Sequence, residues 1–198
     1  MKDAFALFGF ERRPAVDAAE LQERYLRRAA ILHPDSAQGD ARAFVELGTA
    51  RAVLEDPAER LNHLIELQGG LKGVSGSSFA NEVIVEMIDL AALLLEATQE
   101  ISKIANALTP LARAVSLQSA RNLLNRLEGA ENRIKLLINS LDEKVETADQ
   151  TWPDIPLAQL AQLAASLRFA RKRRTQISET SFQLRCALGY RDLQTQEE

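Results

Sequence analysis

This 198-residue sequence has one cysteine, Cys186. It can close no intrachain disulfide and build no cysteine-rich zinc or iron–sulfur site. Charge of one sign is also missing. Lys and Arg total 24 against 28 Asp and Glu, a formal net charge of -4, whereas a dedicated nucleic-acid binder carries a clear basic excess. Aromatic residues make up only 5%. No apolar run approaches the ~18 residues of a spanning helix. The opening, from Met1 to Phe10, is too short and charged too early for a secretory signal. The sequence holds no Gly-rich phosphate loop, no paired metal ligands and no serine–histidine–acid pattern. The expectation is a soluble, cytoplasmic protein that is not an enzyme, with no catalytic residues, no metal and no cofactor.

What is present is helical patterning. Hydrophobic residues reach 46%, enough for a packed core. No stretch alternates apolar and polar as a strand does, so the reading is all-α. Residues 69–78 contain four glycines and three serines, which mark a flexible linker. The expected division is residues 1–70, a linker at 71–78, and residues 79–198.

The N-terminal part carries legible helix signals. A short apolar helix around Ala4 to Phe8 stops at Gly9. Asp17 with Glu20 forms a capping box for the second helix, flanked by a Val16–Leu21 staple. Leu21, Tyr25, Ala29 and Leu32 then share one face, while Arg24, Arg27 and Arg28 make the other sides basic. A polar loop follows, 33–39, before a third helix with Asp40 as its cap and Phe44, Leu47, Ala50 and Leu54 inward. Asp56-Pro57 starts a fourth helix carrying Leu61, Leu64 and Ile65. Beyond the linker, one helix is predicted over 81–108, with a break near Thr109-Pro110. A second spans 116–145, and a last runs over 157–188 after the Trp152–Pro156 corner. Long helices with short corners imply an antiparallel bundle.

The loop reads His33-Pro34-Asp35, lying between a basic helix and its antiparallel partner. With Tyr25 eight residues before the histidine, Arg27 and Arg28, Leu7-Phe8-Gly9 and Leu54-Glu55-Asp56-Pro57, residues 3 to 68 resemble the J domain of the DnaJ class. The proline stiffens the loop, the aspartate offers a fixed charge, and the basic helix steers toward an acidic partner. The resemblance implies that His33, Pro34, Asp35, Tyr25, Arg24, Arg27 and Arg28 engage a DnaK/HscA-type ATPase chaperone and speed its ATP hydrolysis. Ser36 departs from the family, which often has lysine there.

The second half resembles the C-terminal bundle of the HscB family, the J co-chaperones of iron–sulfur cluster assembly. The likeness rests on the Leu67-Gln68-Gly69-Gly70 corner, the segment Val83 to Leu90, and Leu167-Arg168-Phe169-Ala170-Arg171-Lys172. It implies an L-shaped molecule, a short four-helix antiparallel J domain joined to the bundle. It also implies that Ile84, Val85, Ile88, Asp89, Glu96 and Phe169 bind the cluster scaffold protein. Ala92 stands where the family often has glutamate, and the middle, from about Thr98 to Asn132, diverges.

From the residues alone, the apolar surplus between Val83 and Ala97 leaves two readings open, a deeply buried core helix or a docking patch. The basic group Arg168, Arg171, Lys172, Arg173 and Arg174 reads as a solvated helix face, His63 as structural, and Cys186 as a small core residue. Three functions are weighed: scaffold delivery, a J-domain adaptor for a different client, and a helical protein keeping a vestigial J fold. Neither nucleic acid nor membrane is expected as a partner.

Overall fold

The computed structural model describes residues 2–36, 39–70 and 81–189, without the side chains at 81, 82 and 85–87. The predicted linker 71–78 lies outside the described residues. The chain is all-α, with no strand among the described residues. Its helices are α1 (Ala4–Phe8), α2 (Ala18–Leu32), α3 (Ala41–Glu55), α4 (Pro57–Leu67), α5 (Asn81–Ala105), α6 (Pro110–Gln150) and α7 (Leu157–Ala187). They form two compact units. One contains Met1–Phe79 with Ser140–Arg168, the other Ala80–Asn139 with Phe169–Glu198.

In the first unit α1 packs on α2 and α3, α2 on α3, and α3 on α4. Phe5, Phe8, Leu21, Leu47, Leu54, Leu61 and Leu64 are buried together with Leu141, Val145, Leu160 and Leu167. Each such side chain contributes ~1.5–3 kcal/mol by leaving water. The helix starts follow their caps. Asp17 accepts from the Glu20 amide at 2.7 Å, and Asp56 accepts from Ala58 and Glu59 amides at 2.8 and 3.1 Å, with Pro57 opening α4. The Glu20 carboxylate, however, turns to Arg24 at 2.5 Å, so it does not complete the capping box. On α2 only Leu21 is buried, while Tyr25, Ala29 and Leu32 are half-buried. Gly9 ends α1 at φ 74°, a left-handed conformation natural to glycine.

His63 is structural, as expected. It is 4% exposed, stacks on Phe5, and its Nε2 accepts the Ala4 amide at 3.0 Å. Asp3 caps α1 through the Ala6 amide and pairs with Arg12 at 2.8 Å. Burial alone would raise the Asp3 carboxyl, but the Ala6 amide and Arg12 outweigh it and hold it below the usual range.

Ties of very long sequence separation complete this unit. Arg13 sends Nε to Asp149 Oδ1 at 2.9 Å and Nη2 to its other oxygen, and the Ala15 amide donates to Oδ1 at 3.0 Å. Buried Arg60 donates to the Pro14 and Leu54 carbonyls at 2.7 and 2.6 Å, and its charge also favours the Asp149 carboxylate. Arg168 reaches Glu59 at 2.9 Å.

The second unit holds α5 and parts of α6 and α7, burying Val83, Leu90, Leu93, Ala97, Leu123, Leu127, Ile134, Ala170, Ile177 and Leu184. Glu96–Arg126 at 2.8 Å ties α5 to α6, and Glu128–Arg185 at 3.2 Å ties α6 to α7. Three expectations need correction here. The helix predicted to reach Leu108 stops at Ala105, because Asn106 folds its amide back onto the Ser102 carbonyl at 2.9 Å. The helix predicted from Ser116 starts at Pro110. Thr109 caps it, its hydroxyl accepting the Ala112 amide at 3.2 Å, and the helix runs on through Gly129 to Gln150. Cys186, expected in the core, is exposed.

Candidate functional site: the loop between α2 and α3 and the outer face of α5

An α-helix leaves its last carbonyls without intrahelical donors, and the 33–40 loop supplies them to α2. The Ser36 hydroxyl donates to the Ile31 carbonyl at 2.6 Å. The Asp40 amide donates to Leu32 at 3.1 Å, and the Ser36 amide to His33 at 2.9 Å. Asp40 then caps α3, its Oδ1 accepting the Arg42 and Ala43 amides at 2.9 and 3.0 Å. Among the described residues these bonds tie the end of α2 to the start of α3.

Within that loop His33 sits edge-on to Phe44, ring centroids 5.5 Å apart. Its Nδ1 accepts the Asp35 amide at 3.3 Å. The Asp35 carboxylate lies 3.6 Å from Nδ1 and its side chain is 91% exposed. The arrangement presents one fixed anionic group to solvent. Such a group suits recognition of a complementary charged surface. Among the described residues no cluster of three His, Cys, Asp or Glu could hold a metal ion.

The basic residues of α2 divide. Arg24 turns inward, donating Nη1 to the Phe8 and Gly9 carbonyls at 2.8 and 2.6 Å and stacking on Phe10 at 4.2 Å. Arg27 pairs with Glu23 one turn back. Arg28 is exposed and makes no ion pair among the described residues. Tyr25 lies under the Arg51 guanidinium at 4.5 Å, against α3. His33, Pro34, Asp35 and Arg28 are therefore exposed, whereas Arg24 and Tyr25 are engaged in packing the helices.

On α5 the apolar surplus is largely outward. Ile84, Ile88 and Leu95 are 45%, 72% and 61% exposed. At offsets of four and seven they form one stripe, on the side opposite Leu90, Leu93 and Ala97. Asp89 is exposed beside it. Glu96 is held by Arg126, and the side chain of Val85 lies outside the described residues. Phe169 is half-buried on α7 under Arg173 at 5.0 Å. Leu95 is absent from the expected set, although its seven-residue offset from Ile88 is the signal that marks it.

Of the basic group on α7, Arg168 is paired with Glu59 and Arg173 with Gln176 at 2.6 Å, so the charges are partly committed within the protein. A cleft of about 630 Å³ opens beside Phe10, Asp17 and Glu146. Charged groups in its lining pair with one another, Arg13 with Asp149 and Arg24 with Glu20. No helix among the described residues is long and apolar enough to cross a membrane.

No protein-family model matches the sequence. A curated co-chaperone protein HscB homolog of Chromobacterium violaceum is 37% identical over 76 residues, covering 34% of this chain and 43% of that relative. The match therefore spans less than half of the relative's length. Among solved structures, chaperone HscB from Vibrio cholerae superposes with a TM-score of 0.60 at 17% identity, over 92% of this chain and 99% of that one. That likeness establishes the fold. The sequence match to the HscB homolog agrees with the family resemblance.

Proposed function

We propose that this chain is an HscB-family co-chaperone, which docks its α2–α3 loop on a DnaK-type ATPase chaperone and accelerates ATP hydrolysis there. The outer face of α5 would meanwhile hold a client, an iron–sulfur cluster scaffold protein. The observation that carries this reading is the exposed Asp35 carboxylate, fixed in a closed loop at the end of a basic helix. A complementary partner would be steered by the cations of α2 and read by the anion of the loop. Carrying client and chaperone-docking loop on one chain raises the client's effective concentration at the chaperone. Hydrolysis itself belongs to the partner.

The test is single-turnover ATP hydrolysis by DnaK-type chaperones of the same organism with the full chain added. Wild type is expected to accelerate hydrolysis, and His33→Gln to abolish the acceleration while leaving the fold intact. Absence of acceleration by wild type would refute the reading. One observation favours a second reading, delivery of a different client. Glu96 is tied to Arg126 and Ala92 offers no charge, so the α5 face is poorer in free acid than the family resemblance implies. Scaffold protein that binds wild type and is released at least tenfold more readily from Ile88→Asp supports the first reading. Chaperone activation without scaffold binding supports the second.

A further inference from the structure

We propose that Ser36 and Gly39 are positioning residues, which fix the shape of the His33–Pro34–Asp35 loop before the chaperone arrives. The inference rests on the co-chaperone reading and extends it to two residues that need not touch the partner.

Ser36 binds on three sides. Its hydroxyl donates to the Ile31 carbonyl at 2.6 Å, its amide donates to the His33 carbonyl at 2.9 Å, and its own carbonyl accepts the Gly39 amide at 3.0 Å. The first bond anchors the loop to the end of α2. The other two fold the chain back across the tripeptide. Ser36 is half-buried where Asp35 is almost fully exposed, so the two neighbours face opposite ways. The J domains that this region resembles often have lysine at this place. Here the hydroxyl is turned inward onto the helix.

Gly39 is required for a separate reason. A Cβ at this position would lie 2.3 Å from the His33 carbonyl oxygen and 3.0 Å from that of Pro34. Both are backbone atoms and cannot swing aside. Only glycine lets the returning chain pass this close to the tripeptide, and the next residue, Asp40, then reaches the Leu32 carbonyl at 3.1 Å. The hydroxyl holds the Ile31 carbonyl at the end of α2, and the missing Cβ leaves room for the carbonyls of His33 and Pro34.

A loop already in its docking shape raises the fraction of free molecules that are competent to bind. Its loss must appear in the concentration needed for half-maximal stimulation, and must leave the rate at saturation unchanged.

The experiment titrates the full chain against the DnaK-type chaperone in single-turnover hydrolysis, as wild type, Ser36→Ala, Ser36→Thr and Gly39→Ala. Amide hydrogen exchange and thermal unfolding are followed on the same samples. Ser36→Ala and Gly39→Ala are expected to raise the half-saturating concentration roughly three- to tenfold, the size of one lost hydrogen bond, with the saturated rate kept. Ser36→Thr, which keeps the hydroxyl, stays near wild type. Exchange quickens chiefly at the amides of residues 36, 39 and 40, and the unfolding midpoint of Ser36→Ala falls by no more than one lost hydrogen bond accounts for. A Ser36→Ala curve that overlays wild type overturns the proposal, as does a fall in saturated rate at unchanged half-saturation. If wild type itself gives no stimulation, the co-chaperone reading fails first, a result visible before any variant is compared.

Discussion

Arg24 and Arg28 stand one turn apart on α2 and do different work. Arg24 supplies donors to the Phe8 and Gly9 carbonyls and a cation for the Phe10 ring. Arg28 points to solvent. Arg24→Ala is therefore expected to lower stability by ~1–2 kcal/mol through the carbonyls left without donors, seen as a shifted urea midpoint. Arg28→Ala leaves that midpoint in place and weakens chaperone stimulation instead. The sequence shows both as basic residues of one helix and cannot separate them, because the separation depends on where Gly9 turns the chain. The same limit applies to Asp149. Nothing near it in sequence hints that its partners are Arg13 and the Ala15 amide, 136 and 134 positions away. Arg13→Ala removes the main donor from a carboxylate whose side chain is only 10% exposed, and about 1–3 kcal/mol of stability with it.

Single elements were far easier to read, since their ends are set by neighbours in the chain. Asp17, Asp56-Pro57 and Gly9 sit at the helix boundaries where their chemistry places them. Asp17→Ala should cost ~1 kcal/mol, the usual worth of a cap, and should fray the first turn of α2 while its exchange protection near Leu32 persists. The Thr109-Pro110 pair was legible as a boundary but ambiguous in kind. A proline breaks a helix when it is interior and opens one when it is first, and the Thr109 hydroxyl on Ala112 decides for opening. On α5 the surplus of apolar residues was plain in the sequence. Which of them face outward follows only once Leu90, Leu93 and Ala97 are buried, and that is how Leu95 joins Ile84 and Ile88.

At the scale of the whole molecule the two units draw on the same long helices, α6 and α7. The all-α class and the loop were legible because periodicity and a tripeptide in context are local signals. The pairing of residues 140–168 with the N-terminal helices was not. Acid tests that pairing. Asp3 and Asp149 both titrate below the ordinary carboxylate value of 3.8 in the folded state, so the unfolded chain binds more protons in that range. Their stabilisation is complete above 3.8 and is lost as pH falls through the lower folded values. Urea midpoints measured from neutral pH downward should therefore drop across this window, and Asp149→Asn should flatten the drop while lowering the neutral midpoint.

The discontinuity of the first unit also bears on how the protein is made. Its opening segment leaves the ribosome early, followed by some sixty residues that belong elsewhere, residues 80–139. Only then do Asp149 and Arg168 emerge to meet Arg13 and Glu59. Closing so long an intervening loop costs little more than closing a moderate one, so the delay is one of order rather than of energy. For that interval the α2–α3 loop is already synthesised, while the salt-bridged seam that completes its unit waits for residues 149 and 168 to follow.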